Sequence, residues 1–442
     1  MKQGAIGFIR ELRFSDLPRD VVEFAQVCVL DLIGTACGGL GTRLSRIIRD
    51  HASDQFGTGR RATRLMFDGR KVSAVGAALA NGMTIDAFDA HDGHVLTKGH
   101  AGAAVLPAAL AFAESTAPSG RDFLTDIVIG YEVAIRAGIA THRTCCDYHT
   151  SGSWNALGAA AIGARRLTMD AAQTREALGI AEYHGPRSQM MRCIDFPTMV
   201  KDGSGWGAMT GVSAALLAAD GFTGAPALVV EGEKVADLWA DLGQRWRLLE
   251  MYFKPYPVCR WAQPAVEAAL DLVRRHALKA EAIHSIEIAS FHEAVRLAAR
   301  TPRTTEEAQY SLPFPVAAAV VRGRLAAAEI TEGAFADPEI RRLSEGMVLR
   351  ERNDFNERFP AARYAQVAFV LRDGRRIESA DTTTRGDPST PLPPGALPEK
   401  FSSLADPVIG PTRRAQIEGA VDALARPDGG VANLLDLLAA AP

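Results

Sequence analysis

The chain is poor in each feature that would mark a secreted, metal-stapled, nucleic-acid-binding or membrane protein. Cysteine is scarce: Cys28, Cys37, Cys145, Cys146, Cys193 and Cys259 are scattered over 442 residues and form no CxxC pair. That argues against a disulfide framework and a structural zinc site. The adjacent Cys145 and Cys146 read as reduced packing residues. Neither charge sign dominates, the net charge being −3 and the pI near 6.4, so no nucleic-acid partner is expected. Small anionic substrates stay open, because a few local arginines and lysines decide that matter. No apolar run reaches the roughly 18 residues of a membrane span, so no membrane partner is expected. The opening MKQGAIGFIRELRF carries charges where a signal peptide needs an apolar segment. The expected location is cytoplasmic. Internal repeats and low-complexity tracts are also missing.

Hydrophobic content of 47% and charge of 23% are those of an ordinary globular protein, and the length exceeds one typical core, so two domains are expected. The first 265 residues read as almost wholly helical. Residues 17–37 carry an apolar stripe at helical spacing, which Gly38-Gly39 is expected to stop. Alanine-rich runs over 72–87, 102–115, 121–142, 153–167 and 207–219 favour close helix packing in a compact bundle. The pattern then changes. His284 to Phe291 alternates as a strand should, and residues 363–379 read as two strands joined at Asp373-Gly374. Helices are expected around 312–323 and 337–345, and a last helical segment over 411–439 follows a linker from Thr382 to Pro398. The expectation is a mainly α protein. Its large all-helical domain, residues 1–270, is completed by the C-terminal helix of about 400–442, and a smaller α+β domain spans 271–395.

Asn81 to Pro107 is the most informative stretch. It gathers Asp86, Asp89, His91, Asp92, His94, Lys98 and His100 between two apolar helical runs. Titratable groups so dense are costly near a core unless they meet a ligand, a metal or one another. Metal-free acid/base chemistry built on His100 and its carboxylate neighbours is one reading, and a divalent metal is another, although HDGH matches no metal-ligand register. Gly99 and Gly102 flank His100. Tyr148 and His149 precede the helix WNALGAAAIGA, whose free N–H groups favour an anion and which Thr150 or Ser151 is expected to cap. Lys201, ahead of the glycine-rich start that includes Ser204, is placed to meet a carboxylate or phosphate. Two prolines stiffen FKPYPVCR, displaying Lys254, Cys259 and Arg260, and Arg187 and Arg192 are further carboxylate clamps.

Read together, these segments resemble the 2-methylcitrate dehydratase (MmgE/PrpD) superfamily. The matching segments include DLIGTACGG, ANGMTIDAFDAHD, KGHAGAAVLPAALAFAE, YHTSGSWNALGAAAIGARRL, MVKDGSGWGAMTGVSAALLAADGFTG, FKPYPVCRWAQPAVEAAL and EEAQYSLPFPVAAAVVRG, and cover most of residues 20–325. The resemblance implies a homodimer of a large helical domain and a small α+β lid, acting without cofactor or metal on small di- and tricarboxylates. Family activities include dehydration of 2-methylcitrate, decarboxylation of cis-aconitate and epimerisation of iminodisuccinate. By motif, Asp89, His100, His149, Lys201 and Lys254 match the family's acidic, histidine and lysine positions, and Cys259 falls where the dehydratases carry cysteine. Two departures stand out: Ser204 and Gln263 replace histidines common in the family, while His91 and His94 are gained. That exchange points to a rearranged acid/base set.

The expected function is a lyase that abstracts a proton next to a carboxylate. His149 or Lys201 is the candidate base and His100 or Tyr148 the candidate acid, with Asp89 orienting. Lys254, Arg187, Arg260, Cys259, His94 and Ser204 are the candidate substrate contacts. The alternatives are an epimerase using two opposed bases, a metal-dependent hydrolase built on the Asp89–His100 cluster, and a binding protein that has lost catalysis.

Overall fold

A computed structural model describes residues 4–442. Helix makes up 59% of the chain and strand 10%, so the protein is mainly α. In chain order the principal helices are α1 (Gly4–Glu11), α2 (Arg19–Leu40), α3 (Arg43–Gln55), α4 (Ala74–Asp86), α5 (Gly102–Thr116), α6 (Gly120–Thr144), α7 (Gly152–Arg166), α8 (Ala171–His184), α9 (Met190–Asp195) and α10 (Ser204–Ala219). Glycine and alanine let these helices approach closely. A Cβ at Gly82 in α4 would lie 2.6 Å from the Gly205 Cα of α10, so the two backbones touch there.

The amino-terminal part is not wholly helical. Two short antiparallel pairs interrupt it, β1 (Ala62–Arg64) with β2 (Lys71–Ser73), and β3 (Gly93–His94) with β4 (Met251–Tyr252). Nor do Gly38 and Gly39 stop α2. They lie inside the helix, where a side chain would strike Phe88 and the Thr84 carbonyl, so their smallness serves packing. The reading that no apolar run is long enough to span a membrane also needs correction. Over eighteen residues α2 reaches a mean hydropathy of 1.6, because a window average tolerates Glu23 and Asp31. Two thirds of that window is buried against other helices, chiefly α4, α6 and the C-terminal helix Ala396–Ala423, which bends at Gly410.

The later part of the chain forms a four-stranded sheet in the order β6-β5-β7-β8. Here β5 is Ile283–Ser290, β6 Val348–Glu351, β7 Ala365–Leu371 and β8 Arg376–Glu378. The β7–β8 hairpin turns at Gly374, φ 88°, and Asp373 accepts the Arg375 N–H, as the Asp-Gly signal requires. Two large apolar clusters result. One joins residues from Ala5 to Phe253 with Phe401 to Leu438, and the other joins Val258 to Leu371 with Phe88, Ala90 and the α9 residues. The polar groups from Asp86 to His100 lie at their junction.

Candidate active site

From Asp86, the last residue of α4, to the start of α5 the chain runs through Asp89, His91, Asp92 and His100, all buried like Asp86 itself. Lys201 and Lys254 are buried with them, at 1% and 0% exposure. Lys254 donates to Asp89 Oδ1 at 2.8 Å. Lys201 donates to Gln309 Oε1 at 2.6 Å and stands 4.5 Å above the Tyr310 ring. Its φ of 50° is left-handed, a strained conformation for lysine that turns the chain into α10. Gln309 also accepts the Asp89 N–H at 2.9 Å and donates to the Ala87 carbonyl, tying the second cluster to the first. His91 faces Asp86 Oδ1 at 3.3 Å and Asp89 Oδ1 at 3.7 Å, and its ring lies 4.1 Å from that of His100. His100 Nδ1 meets the Asp92 carbonyl at 2.5 Å, which makes Nδ1 the protonated nitrogen and leaves the lone pair on Nε2.

Burial governs the electrostatics. It depresses the pKa of both His91 and His100 well below the usual imidazole range, and the nearby Lys254 adds to this, so both rings are neutral near pH 7. At Asp89 burial raises the pKa, but Lys254 and Lys201 outweigh it and hold the group below the ordinary carboxylate range. Asp202 goes the other way, pushed up to about 8 by burial and by the charge of Asp86. Burial likewise lifts Asp92 to about 7 although Tyr131 donates to it, and lifts the Cys259 thiol to about 12.

The two helix starts read from sequence as anion sites are filled by the chain itself. At α7, Asp202 accepts the Ser151 N–H at 2.9 Å, and its carbonyl accepts the Gly152 N–H. Neither Thr150 nor Ser151 caps that helix with its side chain: the Ser151 hydroxyl donates to Asp202 and accepts the His100 N–H at 2.8 Å. At α10, Asp86 Oδ2 accepts the Ser204 N–H at 3.2 Å, and the Ser204 hydroxyl is buried without a partner. An aspartate side chain thus takes up the free N–H groups at each helix start, so an incoming anion is left to the lysines.

The expected site residues therefore divide. Asp89, His100, Lys201, Lys254 and Ser204 come together, with the Cys259 thiol close enough to feel the Asp89 and Lys254 charges. Tyr148 is adjacent, donating to the Lys98 carbonyl while the Lys98 ammonium stands 4.2 Å over its ring. His149 is half-buried and meets His142, Gln189 and the charge of Arg187. Arg187 faces solvent and pairs with Glu182. Arg260 is buried but committed, donating to Gln263, the Thr384 and Arg385 carbonyls and Asp387. Gln263 thereby braces Arg260 and also donates to the Tyr256 and Val258 carbonyls. His94 pairs with Glu250 at 3.4 Å. Gln309 and Tyr310 received no role from sequence, although the segment EEAQYSLPF that holds them was conspicuous. Asp86 was visible only as one of the titratable groups of residues 86–100, and Asp202 only as the residue after Lys201.

Asp89, His91 and His100 each bring a possible metal-ligating atom within 4.8 Å of the others. Their surroundings suit an anion better than a dication. Lys254 already neutralises Asp89, and the positive charge of Lys201 is also felt there.

The MmgE/PrpD N-terminal domain matches residues 6–246 and the MmgE/PrpD C-terminal domain residues 256–426. A cis-aconitate decarboxylase-like protein oryM of Aspergillus oryzae is 24% identical, over 94% of this chain and 92% of its own length. The cis-aconitate decarboxylases of Aspergillus terreus and Homo sapiens are each 24% identical, over 97% and 91% of this chain and 93% and 87% of theirs. Since the two domain models together span nearly the whole chain, the protein belongs to the MmgE/PrpD family.

Proposed function

We propose that this protein is a cofactor-free lyase, of dehydratase or decarboxylase type, that moves a proton next to a carboxylate of a small di- or tricarboxylate. Family membership and the names of its relatives support the lyase class. One observation carries the substrate class: two fully buried lysines, Lys201 and Lys254, stand beside neutral imidazoles. A carbon next to a carboxylate is a poor acid. Its deprotonation needs fixed positive charge where the enediolate develops and a neutral base at the C–H bond. In this reading the lysines receive carboxylates, Asp89 positions Lys254, and His100 Nε2 handles the proton. Tyr148, Cys259 and Ser204 shape the surrounding wall, and His149 stands at the margin. The same reading carries a homodimer, which sedimentation would test.

The deciding experiment incubates metal-free protein with cis-aconitate and a panel of other di- and tricarboxylates in deuterium oxide, followed by proton NMR. A product of water or carbon dioxide loss, carrying deuterium and abolished in Lys201→Met and Lys254→Met, is expected. Deuterium in recovered substrate without new product would move the assignment to an epimerase. Silence across the panel would sink the reading.

A further inference from the structure

His91 is the least explained group in the cluster. It is completely buried, yet its Nδ1 has no hydrogen-bond partner. An orphaned ring nitrogen in a core is costly, and structural histidines normally avoid that cost by finding a carbonyl or hydroxyl. The other nitrogen is well provided for. Nε2 faces Asp86 Oδ1 at 3.3 Å, and Asp86 is in turn fixed by the Ser204 N–H at 3.2 Å. A carboxylate on Nε2 fixes the proton there and leaves the lone pair on Nδ1. His100 is arranged in parallel fashion, with the Asp92 carbonyl on Nδ1 and the lone pair on Nε2. Two imidazoles 4.1 Å apart thus have their N–H groups tied back to the protein and one basic nitrogen each to spare. His94, the other histidine gained in this segment, also has a carboxylate on Nε2 and an unpartnered Nδ1, but it stands on the β3–β4 side among Glu250, Arg247 and Arg363, whereas His91 lies beside His100 and the charges of Lys254 and Lys201.

We propose that His91 is a second proton-transfer group of this site, acting on the substrate through Nδ1, with Asp86 as its positioning residue. The inference rests on the carboxylate proton-transfer reading and deepens it by assigning a base that the family motifs do not supply. In the step itself the substrate C–H bond breaks and a new N–H bond forms at Nδ1. The electron pair stays on the substrate as an enediolate held by Lys201 and Lys254. The imidazolium then returns its proton to carbon, or the pair expels the leaving group. Asp86 stabilises the transient imidazolium, and the ionised Asp89 at 3.7 Å does the same.

The test compares wild type, His91→Gln and Asp86→Asn for deuterium exchange and turnover on whichever panel member wild type accepts. His91→Gln should lose on the order of 10²–10⁴-fold in kcat with KM changed less than about threefold. Asp86→Asn should lose roughly tenfold or more in kcat and displace the pH–rate profile, which a merely structural role would not do. A His91→Gln enzyme within about threefold of wild type overturns the inference while leaving the proton-transfer reading intact. A wild type that exchanges nothing removes both. Should His91→Gln not fold, nitrogen NMR of histidine-labelled wild type with tricarballylate decides instead. His91 Nδ1 should change from an unprotonated to a ligand-bonded signal, and an unchanged signal overturns the proposal.

Discussion

Removing the charge of Lys254 while keeping its bulk would show how the cluster is held together. Lys254→Met leaves Asp89, 1% exposed, without the ammonium that stands 2.8 Å from its carboxylate. Burial alone raises the Asp89 pKa, and Lys254 is the largest influence that reverses it. Breaking a buried ion pair from one side costs about 3–5 kcal/mol, since the remaining charge keeps its desolvation penalty. Unfolding entropy near 2.1 cal/mol/K per residue amounts to roughly 0.9 kcal/mol/K for 442 residues. The melting midpoint should therefore fall by about 3–5 °C if the chain melts as one unit. The pH dependence has a definite sign. In wild type the depressed pKa of Asp89 gives stability that is present above the ordinary carboxylate range and lost only in strong acid. Without Lys254, burial lifts the folded pKa above the unfolded one, so the deficit is greatest at high pH and shrinks toward acid. Asp89→Asn/Lys254→Met, which discards both charges, should recover more than half of the loss. Scanning calorimetry at pH 8 and pH 5 reads all of this. A Lys254→Met midpoint within about 1 °C of wild type at pH 8, or a double variant worse than the single, would refute the reasoning.

Asp202→Asn should flatten the alkaline limb of stability. The buried carboxyl keeps its proton to about pH 8, whereas the unfolded chain releases it near 4, so stability is lost as pH rises between these values, and urea midpoints at pH 6 and pH 9 will show whether asparagine removes that slope. Arg260→Lys should cost about 2–3 kcal/mol, because lysine cannot reproduce the fork that reaches Gln263, Asp387 and two carbonyls, while KM stays within about twofold. Gly82→Ala should destabilise by roughly 1–3 kcal/mol and lower kcat, since it pushes apart α4 and α10, which carry Asp86 and Ser204. Gly419→Ala, on an exposed helix face with nothing within 4 Å, should instead be neutral or stabilising by about 0.5–1 kcal/mol in the same denaturation assay. Binding of tricarballylate near pH 7 should take up protons. It brings negative charge to two neutral histidines, and titration calorimetry in buffers of different ionisation heat measures the uptake.

Much of the scaffold was legible because small residues at helical spacing leave few alternatives. Five alanine-rich runs became α4, α5, α6, α7 and α10, and the Asp373-Gly374 turn produced its hairpin. Helix α3 escaped notice because it buries only Leu44, Ser45 and Ala52, too narrow a stripe to stand out among its charges. The site was legible as a density of charge but not as a set of partners. Lys254 and Asp89 are 165 positions apart, and Gln309 and Asp89 are 220 apart, so no local pattern could join them. Nor could sequence show that Asp86 and Asp202 occupy the helix starts that seemed open to ligands. Arg187 and Arg260 look alike as residues. Only the fold reveals that one lies in solvent and the other is spent on carbonyls.

The partnership of α2 with the C-terminal helix has a consequence for how the molecule is made. Lys400 donates to Asp31 at 2.6 Å across 369 positions of chain. A ribosome adding about 5–20 residues per second needs roughly 20–70 s to cover that distance. Throughout that interval a helix long and apolar enough to pass for a membrane span has been synthesised while a large part of the surface that covers it does not yet exist. Truncation anywhere before Ala396 would make the delay permanent. Nascent chains of this protein should therefore depend on chaperones more heavily than its ordinary composition implies, and release from them should follow the emergence of the final fifty residues rather than of the segments that carry Asp86 to His100 and Lys201.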